Sequence, residues 1–336
     1  MRISVLDQSP ISDGFTGADA LRNTIDLARL ADELGFARYW VAEHHGTPML
    51  ACASPEVLVA AIGSTTSKIR IGSGGVMLPH YSPLKVAETF SILSALFPNR
   101  VDLGIGRAPG TDHSTAFALQ RDRRQPAPDD FPQQLGELLG YLENSMPTGH
   151  PFARLAALPG RPHVPDVWLL GSSAQSALWA ADNGLPYVFA DFINPEGATY
   201  AAIYRDRFRA SETLAQPRMM VAGWAICAKT EDEAQRIASS ARMTRTLLNE
   251  GRLIPVPSID KALRFLAERG PSPDTVVRTR RAIIGAPPTV KRGIEELAAL
   301  YGADEVMIVT ITYDHAARRR SYELIAEVFG LGYSST

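Results

Sequence analysis

The chain has 336 residues, 34 Lys and Arg against 36 Asp and Glu, a formal net charge of −2, 45% hydrophobic and 21% charged residues. That balance excludes a disordered or low-complexity chain and gives no electrostatic footing for nucleic acid or an anionic membrane surface. Two cysteines, Cys52 and Cys227, cannot build a disulfide framework, which predicts a reducing, cytoplasmic setting. The opening MRISVLDQSP meets Asp7 before any signal-peptide apolar region can form, and no apolar run approaches the roughly 18 residues of a membrane span.

In chain order, short β-type runs alternate with longer helical ones. Strands are predicted over 3–6, 38–42, 69–74, 101–106, 167–170, 187–190, 219–227 and 305–312. Helices are predicted over 18–35 (ending on Gly35), 55–63, 83–97, 174–183 (closed by Gly184), 195–212, 231–248, 289–301 and 314–329. Ser54 and Ser82, each before a proline, read as N-caps with Pro at the first helical position. Eight β-α repeats favour a closed (β/α)8 TIM barrel over an open doubly wound sheet, in one domain spanning 1–336. Two Pro-rich stretches, 107–165 after strand 4 and 249–288 after strand 7, interrupt the rhythm. They read as insertions at the C-terminal face of the barrel, in the position of lids or binding loops.

Four motifs end strands on that same face. Glu43-His44-His45-Gly46 follows strand 2; without a spaced third ligand or an HExxH pattern it is not a metal site, which leaves a loop-capping histidine or an acid/base or flavin-contacting one. Gly72-Ser-Gly-Gly75 ends strand 3, where glycines let a backbone pass close to something flat. Gly104-Ile-Gly-Arg-Ala-Pro-Gly110 half resembles a dinucleotide fingerprint, but Pro109 and Gly110 block the helix that the fingerprint requires. The reading that remains sets Gly104 and Gly106 toward the barrel interior and Arg107 at the rim, for a phosphate or for a structural salt bridge. Gly171-Ser-Ser-Ala-Gln-Ser176 opens a helix, where Ser172, Ser173 and Ser176 offer an anion site that Arg107 could complete. No G-x-S-x-G elbow or Walker A pattern occurs. His80, His113, His150, His163 and His315 read as loop or surface residues, and the runs 318–320 and 121–124 as solvated charge.

Taken together, Tyr39-Trp-Val-Ala-Glu-His-His-Gly46, Ile71-Gly-Ser-Gly-Gly-Val-Met-Leu-Pro79, Val101-Asp-Leu-Gly-Ile-Gly-Arg107 and Leu169-Leu-Gly-Ser-Ser173 resemble the bacterial luciferase-like flavin monooxygenases, in order along nearly the whole chain. Asp7-Gln-Ser-Pro10, Arg107-Ala-Pro-Gly110 and Tyr313-Asp-His315 look like a non-luminescent branch. The resemblance implies FMN at the barrel mouth, with Gly74 and Gly75 against the ring and joined by a non-proline cis peptide. It implies Arg107, Ser172, Ser173 and Ser176 on the 5′-phosphate, Ala190 and Phe192 beside the ring, and His44 as the catalytic histidine. Gly106 stands where the light-emitting α subunit has a reactive cysteine, and Ser172 where it has a glutamate, so light emission is not implied. The activity implied is oxygenation of a small organic substrate by reduced FMN and O₂, with a separate flavin reductase supplying the reduced flavin. The alternatives are a deazaflavin- or NAD(P)H-linked oxidoreductase on the same barrel and a non-catalytic flavin-binding subunit. The resemblance also implies a homodimer through helices 54–64 and 82–97. Its branch and the arginine-rich basic composition point toward a secondary metabolite, such as an aromatic polyketide, as substrate.

Overall fold

The computed structural model describes residues 1–107, 111–125, 128–155, 158–270 and 282–332. Eight parallel strands close a ring: β1 (Arg2–Asp7), β2 (Arg38–Val41), β3 (Arg70–Met77), β4 (Val101–Gly106), β5 (Asp166–Gly171), β6 (Tyr187–Ala190), β7 (Met219–Cys227) and, as the eighth stave, β9 (Glu305–Val309). Neighbours in sequence pair around the ring, β7 pairs with β9, and β9 closes on β1 in the register Arg2↔Glu305 to Val5↔Ile308. This is the (β/α)8 barrel expected from the alternation.

Side chains of successive strand residues point to opposite faces, and both faces here are buried. Inward-facing Leu6, Trp40, Trp168, Val188, Met220 and Met307 pack together inside the ring. Outward-facing Val5, Tyr39, Val41, Leu103, Ile105 and Ile308 join the larger core beneath the helices. The helices on that core are α1 (Gly17–Leu34), α2 (Pro55–Gly63), α3 (Pro83–Leu96), α5 (Phe131–Glu143), α6 (Ala174–Asp182), α7 (Ala198–Arg207), α8 (Glu231–Asn249), α10 (Pro287–Tyr301) and α11 (His315–Phe329). α1 shows how firmly local sequence sets its ends. Thr16 and Asp19 form a reciprocal capping box, and Gly35 adopts the left-handed conformation that stops the helix.

The N-terminal end of the barrel is closed by charge. Arg38 donates to Glu305 (3.0 Å) and to Asp102 (2.6 Å), Trp40 Nε1 donates to Asp102 (2.9 Å), and Ser4 donates to Glu305. All of these side chains are buried. The Arg38 and Arg218 guanidiniums lie 4.9 and 4.7 Å over the Trp168 ring, which meets Trp40 edge-on at 5.8 Å.

Several expectations change. The first Pro-rich stretch contains the barrel helix α5, preceded by the short α4 (His113–Leu119). The second contains α9 (Ile259–Arg269) and a strand, β8 (Ile283–Gly285), that pairs with β7 outside the ring. Residues 108–110, 126–127, 156–157 and 271–281 of these stretches, Pro109 and Gly110 among them, lie outside the described residues. Ser54 and Ser82 precede their helices but make no side-chain cap; the first-turn prolines already remove one orphan N–H. The run 318–320 is not wholly solvated. Arg318 is buried and donates to Asp7 (2.7 Å) and to the Thr310 carbonyl (2.8 Å), because α11 turns that position onto the barrel.

Candidate active site

At the C-terminal ends of the strands lies a cavity of about 690 Å³. Its base is Leu6, Ala222 and Met307 on inward-facing strand positions, and its sides carry Gly74, Gly75, Gly106, Ala190 and Phe192. The strand after Ser73 is shaped by backbone crowding. A Cβ on Gly75 would stand 2.8 Å from the Gly104 carbonyl oxygen, and one on Gly104 would stand 2.3 Å from the Ser73 carbonyl oxygen. β3 and β4 therefore approach as bare backbone, with a bulge between Gly74 and Val76. The Gly74–Gly75 peptide is cis, as the resemblance implied, and both residues line the cavity.

The opposite wall is the start of α6. Ser173 caps it and shares a capping box with Ser176, whose hydroxyl donates to the Ser173 carbonyl (2.8 Å) and sits 2.9 Å from the Tyr187 hydroxyl. Ser172, Ser173 and Ser176 all line the cavity. Ser176 is buried and already bonded, so it shapes the turn more than it presents a free donor. Arg107 lines the cavity at the rim, donates to Asp129 (2.6 Å) and lies 5.6 Å over the Trp179 ring. Both readings of Arg107 thus meet in one place, since its carboxylate partner also lines the cavity. With side chains 49% and 70% exposed, this ion pair is weak and exchangeable. Backbone N–H groups at a helix N-terminus and a guanidinium are donor types that suit an anion, and both line this cavity.

Behind the glycine strand, Glu43 is fully buried. It accepts from Met77 N (3.0 Å), the Tyr81 hydroxyl (2.9 Å) and His45 Nε2 (2.7 Å). Burial and the Glu43 charge push the Tyr81 phenol far above its ordinary value. Glu43 thereby ties the end of β2 to the end of β3 and fixes His45. His44 is held by its backbone N–H to Cys52 O (2.9 Å), and its Nδ1 is buried with no hydrogen-bond partner among the described residues. Burial first, and the neighbouring His45 second, push its pKa down to about 4. Unlike every other predicted site residue, His44 is not part of the cavity wall. His80 is, presented by a single 3₁₀ turn (Leu78–His80) directly after β3. The sequence reading took His80 as a loop or surface residue, without a place at the site. The available signal was its position three residues past the glycine strand, in a segment that could only continue along the barrel mouth.

The pattern of the luciferase-like monooxygenases matches residues 1–305. The chain belongs to that family. An N-acetyl-S-alkylcysteine monooxygenase of Bacillus subtilis is 36% identical over 331 residues, covering 97% of this luciferase-like chain and 98% of its own. The crystal structure of apo-MsnO8 superposes with a TM-score of 0.91 at 40% identity, covering 98% of each chain. A Pseudomonas putida type II Baeyer-Villiger monooxygenase, the oxygenating constituent of 3,6-diketocamphane monooxygenase, in complex with FMN, shares the fold with a TM-score of 0.73 at 19% identity over 97% of both chains. Among the described residues of this family member, no cluster of potential metal ligands and no helix long and apolar enough to cross a membrane occurs.

Proposed function

We propose that this luciferase-like monooxygenase oxygenates a small organic substrate with reduced FMN and O₂, the reduced flavin coming from a separate reductase. One observation carries the reading: a single cavity joins a side-chain-free backbone ledge at Gly74–Gly75 to an anion site at Arg107 and the start of α6. Its volume falls within the range of cofactor pockets, and the flat ledge and the phosphate-type cradle are what FMN's ring and 5′-phosphate require. Bound reduced FMN supplies the electrons that activate O₂. The protein's share is placement and seclusion. Arg107 and the backbone N–H groups of α6 bind the phosphate, and Ser172 and Ser173 complete that wall. Gly74 and Gly75 support the ring, with Ala190 and Phe192 beside it. Leu6, Val188, Phe192 and Met307 keep water from the reacting centre. His44, neutral at pH 7, takes or returns a proton at Nδ1.

Titration of the purified protein with FMN, reduced FMN and a deazaflavin, with oxygen uptake recorded alongside, tests this directly. FMN binding with flavin-dependent oxygen consumption is the expected result. Preference for the deazaflavin with no oxygen uptake assigns the alternative redox chemistry instead. Arg107→Ala is expected to weaken FMN binding about 10–100-fold, the worth of a lost charge-assisted hydrogen bond. Asp129→Asn is expected to tighten it, because the competing carboxylate charge is gone. Equal FMN affinity in Arg107→Ala and the parent would remove Arg107 from the phosphate site.

The homodimer is proposed through α2 and α3. Val57, Ile92 and Leu96 on these helices are 64%, 46% and 62% exposed, a concentration of large apolar side chains that an interface would cover. The double variant Val57→Asp/Leu96→Asp should elute as a monomer in light-scattering chromatography with an unchanged circular dichroism spectrum. A dimer of unaltered dissociation constant would move the interface elsewhere.

A further inference from the structure

β7 changes partners half-way along. Its first part pairs with β9 as far as Trp224↔Val309, and from Ala225↔Ile283 onward it pairs with β8. In the fork between β8 and β9 lies a second cavity of about 450 Å³, a size that suits a small molecule. Its body is apolar, formed by Ala225, Ile226, Ile284, Val309 and Ile311 with Ala238 of α8. Gln235, Arg242 and Ala282 also line it and are exposed, so the cavity meets solvent along α8.

The arginines beside it are already engaged. Arg242 donates to Gln235 Oε1. Arg245 lies with its guanidinium 4.1 Å over the Trp224 ring and is engaged beyond that contact. Trp224 differs: it lines the cavity, its Nε1–H is buried, and no described residue accepts from it. A buried donor left unmade is costly, and an indole N–H only donates, so what it lacks is an acceptor. The chemistry of that acceptor follows from its surroundings. Two guanidiniums repel an ammonium group, and a carboxylate would have to draw one of them from its present partner. A neutral carbonyl oxygen meets the indole N–H and disturbs neither. We propose that the fork cavity is a binding site for a neutral, largely apolar carbonyl compound, a ketone or an ester, whose oxygen accepts from Trp224 Nε1. The site rests neither on FMN nor on the oxygenation proposed above.

The test is a titration of the isotope-labelled protein with 4-phenylbutan-2-one, followed by NMR at the indole N–H resonances. The chain has four tryptophans, and the resonance missing from Trp224→Phe is that of Trp224. The ketone is expected to move this resonance downfield in a saturable way. Butylbenzene, which keeps the apolar body without the oxygen, is expected not to. In Trp224→Phe the methyl resonances of Ile226, Ile284 and Ile311 on the cavity wall report occupancy instead. There the ketone should bind about fivefold more weakly than in the parent, the scale of one neutral hydrogen bond. Arg242→Ala, at the exposed rim, is expected to leave the ketone affinity unchanged. Phe keeps a ring against Arg245, so both variants should fold, and their unfolding curves should match the parent. Equal displacement by ketone and butylbenzene, or no displacement by the ketone, overturns the site. So does tighter binding of 4-phenylbutanoate than of the ketone at the same resonances, or a loss in Arg242→Ala as large as that in Trp224→Phe.

Discussion

Alanine at position 44 is expected to lower turnover about 10²–10⁴-fold, the usual contribution of a positioned acid or base, with FMN affinity unchanged within about twofold. The reason lies in an unpaid hydrogen bond. His44 Nδ1 is buried with no partner among the described residues, and buried polar atoms left so are rare unless they serve a ligand or a reaction. The imidazole is also held neutral. Its pKa of about 4, against an ordinary 6.5, follows first from burial and second from His45. The sign for stability follows. A depressed histidine leaves the fold undisturbed above about 6.5 and costs stability as pH falls from there through about 4, because the unfolded chain takes the proton more readily. The parent should therefore lose stability between pH 6.5 and 4 more steeply than His44→Asn. His80 provides the control, since it stands on the cavity wall. Loss of turnover in His80→Ala with none in His44→Ala transfers the proton role to His80.

Arg38→Met is expected to destabilise the barrel by about 3 kcal/mol and to lower the melting temperature by several degrees. Removing one member of a buried ion network leaves the others as uncompensated charges, typically at 3–5 kcal/mol. The low end applies because the carboxylates keep other donors. Asp102 retains Arg70 (2.6 Å) and Trp40 (2.9 Å), and Glu305 retains Ser4 and Arg2 (3.3 Å). The comparison is Arg320→Met, which removes bridges to Glu323 and Glu327 at a partly exposed site and should cost less than about 1 kcal/mol. Chemical denaturation of the two variants decides it; equal costs would mean that the floor network contributes no more than a surface pair.

What the sequence made legible follows the strength of each local signal. The barrel strands are dense apolar runs that end in glycine or charge, and both the ring and the C-terminal placement of the Gly74–Gly75, Arg107 and Ser172–Ser173 motifs were readable from them. α5 was not, although Leu135, Leu138, Leu139 and Leu142 keep helical spacing. Pro132, Gly136 and Gly140 inside it, and the prolines just before it, read as breakers, and packing of the leucines against α3 overrides that local preference. β8 has three residues, too few for any period. Arg38, Asp102 and Glu305 lie 64 and 203 residues apart; only closure of the ring makes them neighbours.

The sealed floor also governs traffic. With Trp40, Trp168 and the Arg38 network filling the axis at one end, the described residues leave the opposite mouth as the way into the principal cavity. A ligand resting on Leu6 and Met307 at the base must arrive before one held nearer the rim and can depart only after it. Catalysis in such a vessel runs as a queue, and initial-rate kinetics should carry the signature of compulsory order.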